Sequence, residues 1–196
     1  TRRSSDLKAI EDHEKHLEIA KEVGDRAGEG IAYHNMGAEY FSLGQFENAL
    51  DKFVSAVGAF NTLRSFLKSE DEWKINFRAL YDSAYDCKWR SLLRIGKFRE
   101  ALFAAETGRA QTLSDSLFIQ YELALPSSTT IYDYEERISR FLTVLSIPII
   151  FLATEGLTIN TWFLSRGKVI AFGNRRLEAA ITGEDPIRVL LEAILE

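Results

Sequence analysis

The sequence predicts a mainly α-helical protein: an antiparallel array of helical repeats over residues 1–125, then a small α/β portion with a β-meander over 131–196. Three observations carry that reading. Segments echo one another at long offsets, apolar residues recur at helical spacing through the first 120 residues, and beyond Pro148 the pattern changes to that of strands. A hydrophobic content of 46% in 196 residues is enough to bury a core of this kind.

The first echo pairs Leu43-Gly44-Gln45-Phe46-Glu47-Asn48-Ala49-Leu50 with Ile95-Gly96-Lys97-Phe98-Arg99-Glu100-Ala101-Leu102, 52 residues further on. A second pairs residues 9–17 with 49–57, 40 residues apart. In the middle unit Tyr33, Met36, Gly37 and Tyr40 fall on one helical face, and Ala49, Phe53, Ala56, Val57 and Phe60 form the stripe opposite. Small Gly37 and Ala49 sit where the two helices approach most closely, with Tyr33, Tyr40 and Phe53 as bulk around them. Gly44 is the turn between them. Gly24-Asp25 reads as a helix stop and a new N-cap, and Ser69-Glu70-Asp71-Glu72 as a capping box. Helices are therefore expected near 6–23, 26–42, 46–67, 70–94 and 98–120.

These residues resemble the tetratricopeptide repeat. Tyr33, Met36, Gly37, Tyr40, Ala49, Phe53 and Ala56 fill its seven signature places in order, and Asn61 stands where a terminal Pro is usual. The stretch Glu18 to Gly30 is similar to the longer repeat of the G-protein-signalling-modulator group, with the terminal helix of a first unit ahead of it. In the third unit Tyr85, Leu92, Gly96, Phe98 and Ala101 match, whereas Trp89 takes the place of the small glycine and Gly108 that of the last alanine. The resemblance implies a protein-binding scaffold.

After Pro126-Ser127-Ser128-Thr129-Thr130, a linker by composition, residues 131–145 read as a helix. Pro148 to Thr154, Thr158 to Leu164 and Val169 to Phe172 read as three strands joined by turns at Glu155-Gly156 and Ser165-Arg166-Gly167-Lys168. Helices at 177–181 and 186–195 would cover the sheet. Repeats followed by Gly108-Arg109-Ala110-Gln111-Thr112-Leu113-Ser114-Asp115, an apolar strand and a Trp-containing strand resemble the entry to a CHAT domain, the caspase-like domain that follows tetratricopeptide repeats. That resemblance implies a peptidase whose His and Cys lie beyond these strands and outside this chain. If the sheet continues past Glu196, a strand edge is unpaired and Ile149, Phe151, Ile159, Trp162, Phe163 and Phe172 expose apolar surface unless the helix at 186–195 covers it, so self-association through these strands is expected.

Several function classes are disfavoured. With 24 basic against 29 acidic residues and a net charge of -5, the chain offers no broad basic surface for nucleic acid. The longest apolar run, residues 144–153, contains Ser146 and Pro148 and falls far short of the roughly 20 residues that cross a bilayer, so no membrane segment is expected. A single cysteine, Cys87, excludes an internal disulfide framework and fits the cytoplasm; it reads as a small core-facing residue. His13 and His16 flank Glu14, but their i, i+3 spacing is wrong for a zinc helix, and both read as packing on a partner helix. No phosphate loop, dinucleotide fingerprint or nucleophile elbow is present. No enzyme activity, metal or cofactor is expected.

In tetratricopeptide repeats the first helix of each unit lines the concave side, and its fifth, sixth and ninth places carry ligand contacts. The resemblance puts His34, Asn35 and Ala38 there in the middle unit, and Asp86, Cys87 and Arg90 in the third, with Arg94 one turn on. His34, Asn35, Arg90 and Arg94 are thus the expected contacts to a protein or peptide ligand. Amide and guanidinium groups would donate to an anionic peptide end.

Overall fold

The structure, a computed structural model, describes residues 2–66, 71–121, 148–165 and 168–176. The expected linker at 126–130, the helices at 131–145, 177–181 and 186–195, and the first half of the capping box at 69–72 lie outside the described residues. The chain divides into two compact units, Thr1–Pro126 and Ser127–Glu196.

The first unit holds five helices: α1 (Arg2–Val23), α2 (Arg26–Ser42), α3 (Phe46–Phe66), α4 (Asp71–Arg94) and α5 (Phe98–Tyr121). Each packs against the next, and α2 also touches α4. The expected ends agree to within a residue except at α1, which begins four residues earlier.

Three of the inter-helix turns share one chemistry. Gly24, Gly44 and Gly96 take φ of 72°, 75° and 78°, a left-handed conformation that costs glycine little. The residue after each, Asp25, Gln45 or Lys97, sends its N–H back to the carbonyl of Ala20, Tyr40 or Leu92 at 2.8, 2.9 and 2.9 Å. This is the glycine cap that satisfies the last carbonyls of a helix. The same three residues then accept the first bond of the following helix, from Glu29, Ala49 and Ala101. Asp25 adds its carboxylate, which accepts from the Gly28 N–H at 2.9 Å. Two residues therefore close one helix and open the next, which forces antiparallel neighbours.

Packing within the α2–α3 hairpin depends on a size difference. A Cβ at Gly37 would lie 2.7 Å from Cε1 of Phe53, so the ring occupies the space a larger residue would need. Gly30 makes the same allowance for the Phe60 ring. Phe53, Ala49 and Ala56 are 0% exposed. In the third unit the sizes are exchanged. At the 52-residue offset Gly37 becomes Trp89 and Phe53 becomes Ala105, and both are buried. Bulk moves from the second helix to the first, so the departure at Trp89 is compensated at Ala105.

Asn61 explains how α3 runs on where a proline would have stopped it. Its Oδ1 accepts a hydrogen bond from the Tyr81 hydroxyl of α4, and its Nδ2 donates to the Tyr85 hydroxyl at 3.5 Å. The two tyrosine rings lie 5.0 Å apart, and both pack on Ala56, Val57, Phe60 and Ala84. The polar tips of two buried aromatics thus share one amide and also meet each other at 3.3 Å.

His13 is half-buried and His16 is exposed. Helix α1 buries Ile10 and Ala20, and His16 is turned away from that face, so it does not pack on α2.

The second unit contains an antiparallel sheet in the order β1 (Ile149–Glu155), β2 (Thr158–Ser165), β3 (Lys168–Arg176). Gly156, at φ 55°, supplies the left-handed residue of the two-residue loop between β1 and β2. A register shift at Phe163/Leu164 interrupts the β2–β3 ladder. Of the expected exposed row, Trp162 is 0% and Ile159 3% exposed, so neither offers apolar surface. Alternation places Trp162 on a covered face with Asn160 and Leu164, beside Phe172 at 5.2 Å. Among the described residues of the strands, the large exposed apolar side chains are Ile150, at 61%, and its cross-strand partner Phe163, both on the face opposite Trp162.

Two stability predictions follow from the first unit. Ala49→Leu should overpack the hairpin and lower the unfolding free energy by about 1–3 kcal/mol in urea titrations. Asn61→Ala should cost about 1–3 kcal/mol by removing the amide that both tyrosine hydroxyls use, and Asn61→Ala combined with Tyr81→Phe should recover part of it.

Candidate functional site

The residues expected to bind a ligand fall on two helices that the fold sets side by side. Two contacts join α2 to α4. His34 Nε2 lies 3.5 Å from Ser83 Oγ, and seven residues further along α2 the ring of Phe41 lies 5.7 Å from the Arg94 guanidinium. Both contacts advance in the same chain direction, so α2 and α4 are parallel. Asn35 and Ala38 of α2, and Asp86, Cys87 and Arg90 of α4, lie between these contacts in the chain.

His34 is held between Ser83 and Phe53, whose ring centroid is 5.6 Å away. Its Nδ1 is buried with no hydrogen-bond partner, and burial pushes its pKa below the ordinary histidine value. Asn35 is half-buried, and its amide makes no hydrogen bond among the described residues.

Arg90 is less free than its position in the sequence suggests. Its Nη2 lies 3.6 Å from Oδ2 of Asp86, one turn back, and its guanidinium stacks over Trp89 at 5.4 Å. The other Asp86 oxygen accepts from Trp89 Nε1 at 3.1 Å. Asp86 therefore holds a cation and an indole N–H at once and supplies negative charge to this face. Arg90 Nε remains buried without a partner. Arg94 is exposed at the end of the helix. Cys87, expected to face the core, is only half-buried.

The repeat-signature residues divide as their sizes require. Ala49, Phe53, Ala56, Tyr85 and Ala101 are buried, as is Gly37, while Tyr33 and Tyr40 are half-buried. Lys21 of α1 lies 5.5 Å from the Tyr33 ring. Gly44 and Gly96 act through their backbone alone. Sequence reasoning missed Ser83 and Phe41. Ser83 stands one helical turn before Asp86 and Cys87, and Phe41 stands two turns beyond His34, so helical spacing could have found both.

Among the described residues no three His, Cys, Asp or Glu side chains gather to hold a metal, and no helix is long and apolar enough to cross a membrane.

The chain is 30% identical over 95 residues to mouse tetratricopeptide repeat protein 28, and 30% identical over 94 residues to its human counterpart. Each match covers 48% of this chain and 4% of the relative. Human G-protein-signaling modulator 1 is 48% identical over 42 residues, which is 21% of this chain and 6% of that protein. The chain therefore spans only a small part of the curated relatives it matches. No protein-family model and no solved structure matches it. The helical array is tetratricopeptide-like.

Removing the Asp86 charge separates its two roles. Asp86→Asn keeps an oxygen for the Trp89 N–H and loses the pair with Arg90. Because Asp86 is exposed, stability measured by chemical denaturation should change by less than about 1 kcal/mol.

Proposed function

We propose that the helical half is a cytoplasmic protein-interaction scaffold that holds a peptide or helix of a partner in the concave groove lined by α2 and α4. The observation that carries this reading is the set of polar side chains on two adjacent parallel helices: the half-buried Asn35 amide, which makes no hydrogen bond among the described residues, and the guanidiniums of Arg90 and Arg94. Amide and guanidinium N–H groups donate to the carbonyls and carboxylates of a peptide. Arg94 at the open end extends the donors, and the Asp86 charge tempers them. A peptide with carboxylates placed toward Arg90 and Arg94 suits this arrangement. The role is binding rather than catalysis, and it uses no cofactor.

The test is selection from a random peptide library displayed on phage, followed by fluorescence anisotropy with the selected peptides. Asn35→Ala, Arg90→Ala and Arg94→Ala should each weaken binding by about tenfold, equivalent to ~1.4 kcal/mol. Binding that none of these substitutions affects, or a library that yields no binder, would overturn the reading.

A second reading concerns residues 131–196 as the opening part of a CHAT domain, with the catalytic His and Cys outside this chain. It is favoured by three consecutive antiparallel strands with a buried tryptophan on the middle one. Self-association belongs to the same half, through the exposed pair Ile150 and Phe163. Sedimentation of the full chain at micromolar concentration should show dimers that Ile150→Thr with Phe163→Thr dissolves; a monomer in both cases would remove this role.

A further inference from the structure

His34 occupies a position that suits its neutral form better than its protonated one. One ring nitrogen faces the Ser83 hydroxyl at 3.5 Å, which can donate to it or accept from it. The other nitrogen is buried without a partner, and the ring leans on Phe53, which offers no hydrogen-bond acceptor. A doubly protonated imidazolium would bury an N–H with nothing to receive it, at the point where α2 meets α4.

The charges around it do not relieve this. On α4, Asp82 adjoins Ser83 in the chain, Asp86 lies one turn on with its oxygens engaged by Trp89 and Arg90, and Arg90 adds positive charge to the same helix. On α3, Asp51 and Lys52 precede Phe53 and pair with each other at 3.3 Å. On α2, Glu29 is committed to Arg26. Burial is what lowers the His34 pKa.

We propose that the α2–α4 seam is a proton-sensitive joint, packed while His34 is neutral and loosened, with local opening of the helical turns that line it, when His34 takes up a proton. In its consequence this rests on the reading above: a partner spanning α2 and α4 would lose its platform in mildly acidic conditions. The joint itself can be tested with no ligand.

The sign follows from linkage. The folded chain has the lower His34 pKa, so the open state binds more proton as pH falls through the ordinary value of about 6.5. The packed seam is therefore fully stable above that value and weakens below it, until the folded value is passed.

Hydrogen–deuterium exchange on the full chain at pH 7.5 and pH 5.5, corrected for the intrinsic pH dependence of exchange, reads the joint locally. Amides of residues 31–38 and 81–90 should gain about tenfold in relative exchange at the lower pH, while those of β1 and β2 stay unchanged. His34→Gln cannot titrate and should abolish the gain. His34→Phe provides the same test should the glutamine variant fail to fold, and His13→Gln with His16→Gln should retain the full response. The proposal is overturned if the gain persists without a titrating group at 34, is absent from the native chain, or spreads evenly over all five helices.

Discussion

The Phe53 ring seated in the notch left by Gly37 is the contact on which the helical half depends. A side-chain carbon at Gly37 would meet the ring at 2.7 Å, so α2 and α3 can pack this closely only with glycine at 37. The consequence passes outward. The same ring supports His34 at 5.6 Å, and His34 in turn meets Ser83 on α4. The packing of one hairpin therefore bears on how the next hairpin is placed against it. Because Asn35 and Ala38 share a helix with Gly37, the rotation that buries the glycine also fixes which side of α2 remains for a ligand.

The third unit reaches a similar result by another route. Trp89 and Ala105 exchange the sizes of Gly37 and Phe53, and both are buried, so in this unit the bulk is carried by α4. Burying the indole leaves its N–H in need of an acceptor, and Asp86 supplies one. That need places a carboxylate beside Arg90. The mixed charge of the face is thus tied to a packing choice in the core, and a ligand for Arg90 must compete with Asp86 for the guanidinium.

Much of the helical half was legible in the residues. Gly24, Gly44 and Gly96 mark turns because a left-handed position admits glycine cheaply, and the alternation of small and large on facing stripes identified the α2–α3 contact. What escaped depends on distance across the fold. The exchange at Trp89 and Ala105 is visible only when both members of a pair are compared, and the partnership of Asn61 with Tyr81 and Tyr85 joins residues 20 and 24 positions apart. In the sheet, strand pattern gave three strands, but it did not tell that Trp162 and Ile159 are buried while Phe163 is exposed. Composition does not say which face is covered. For the site, the helix faces were readable, whereas the engagement of Arg90 by Asp86 required side-chain geometry.

The most direct test of the account is to map a selected peptide onto the chain by amide chemical-shift perturbation in NMR. The account predicts shifts concentrated at Asn35, Ala38, Cys87, Arg90 and Arg94, with the outward-facing α3 residues Val54 and Ser55 unmoved. Shifts centred on α3, or on the strands, with α2 and α4 silent, would contradict it.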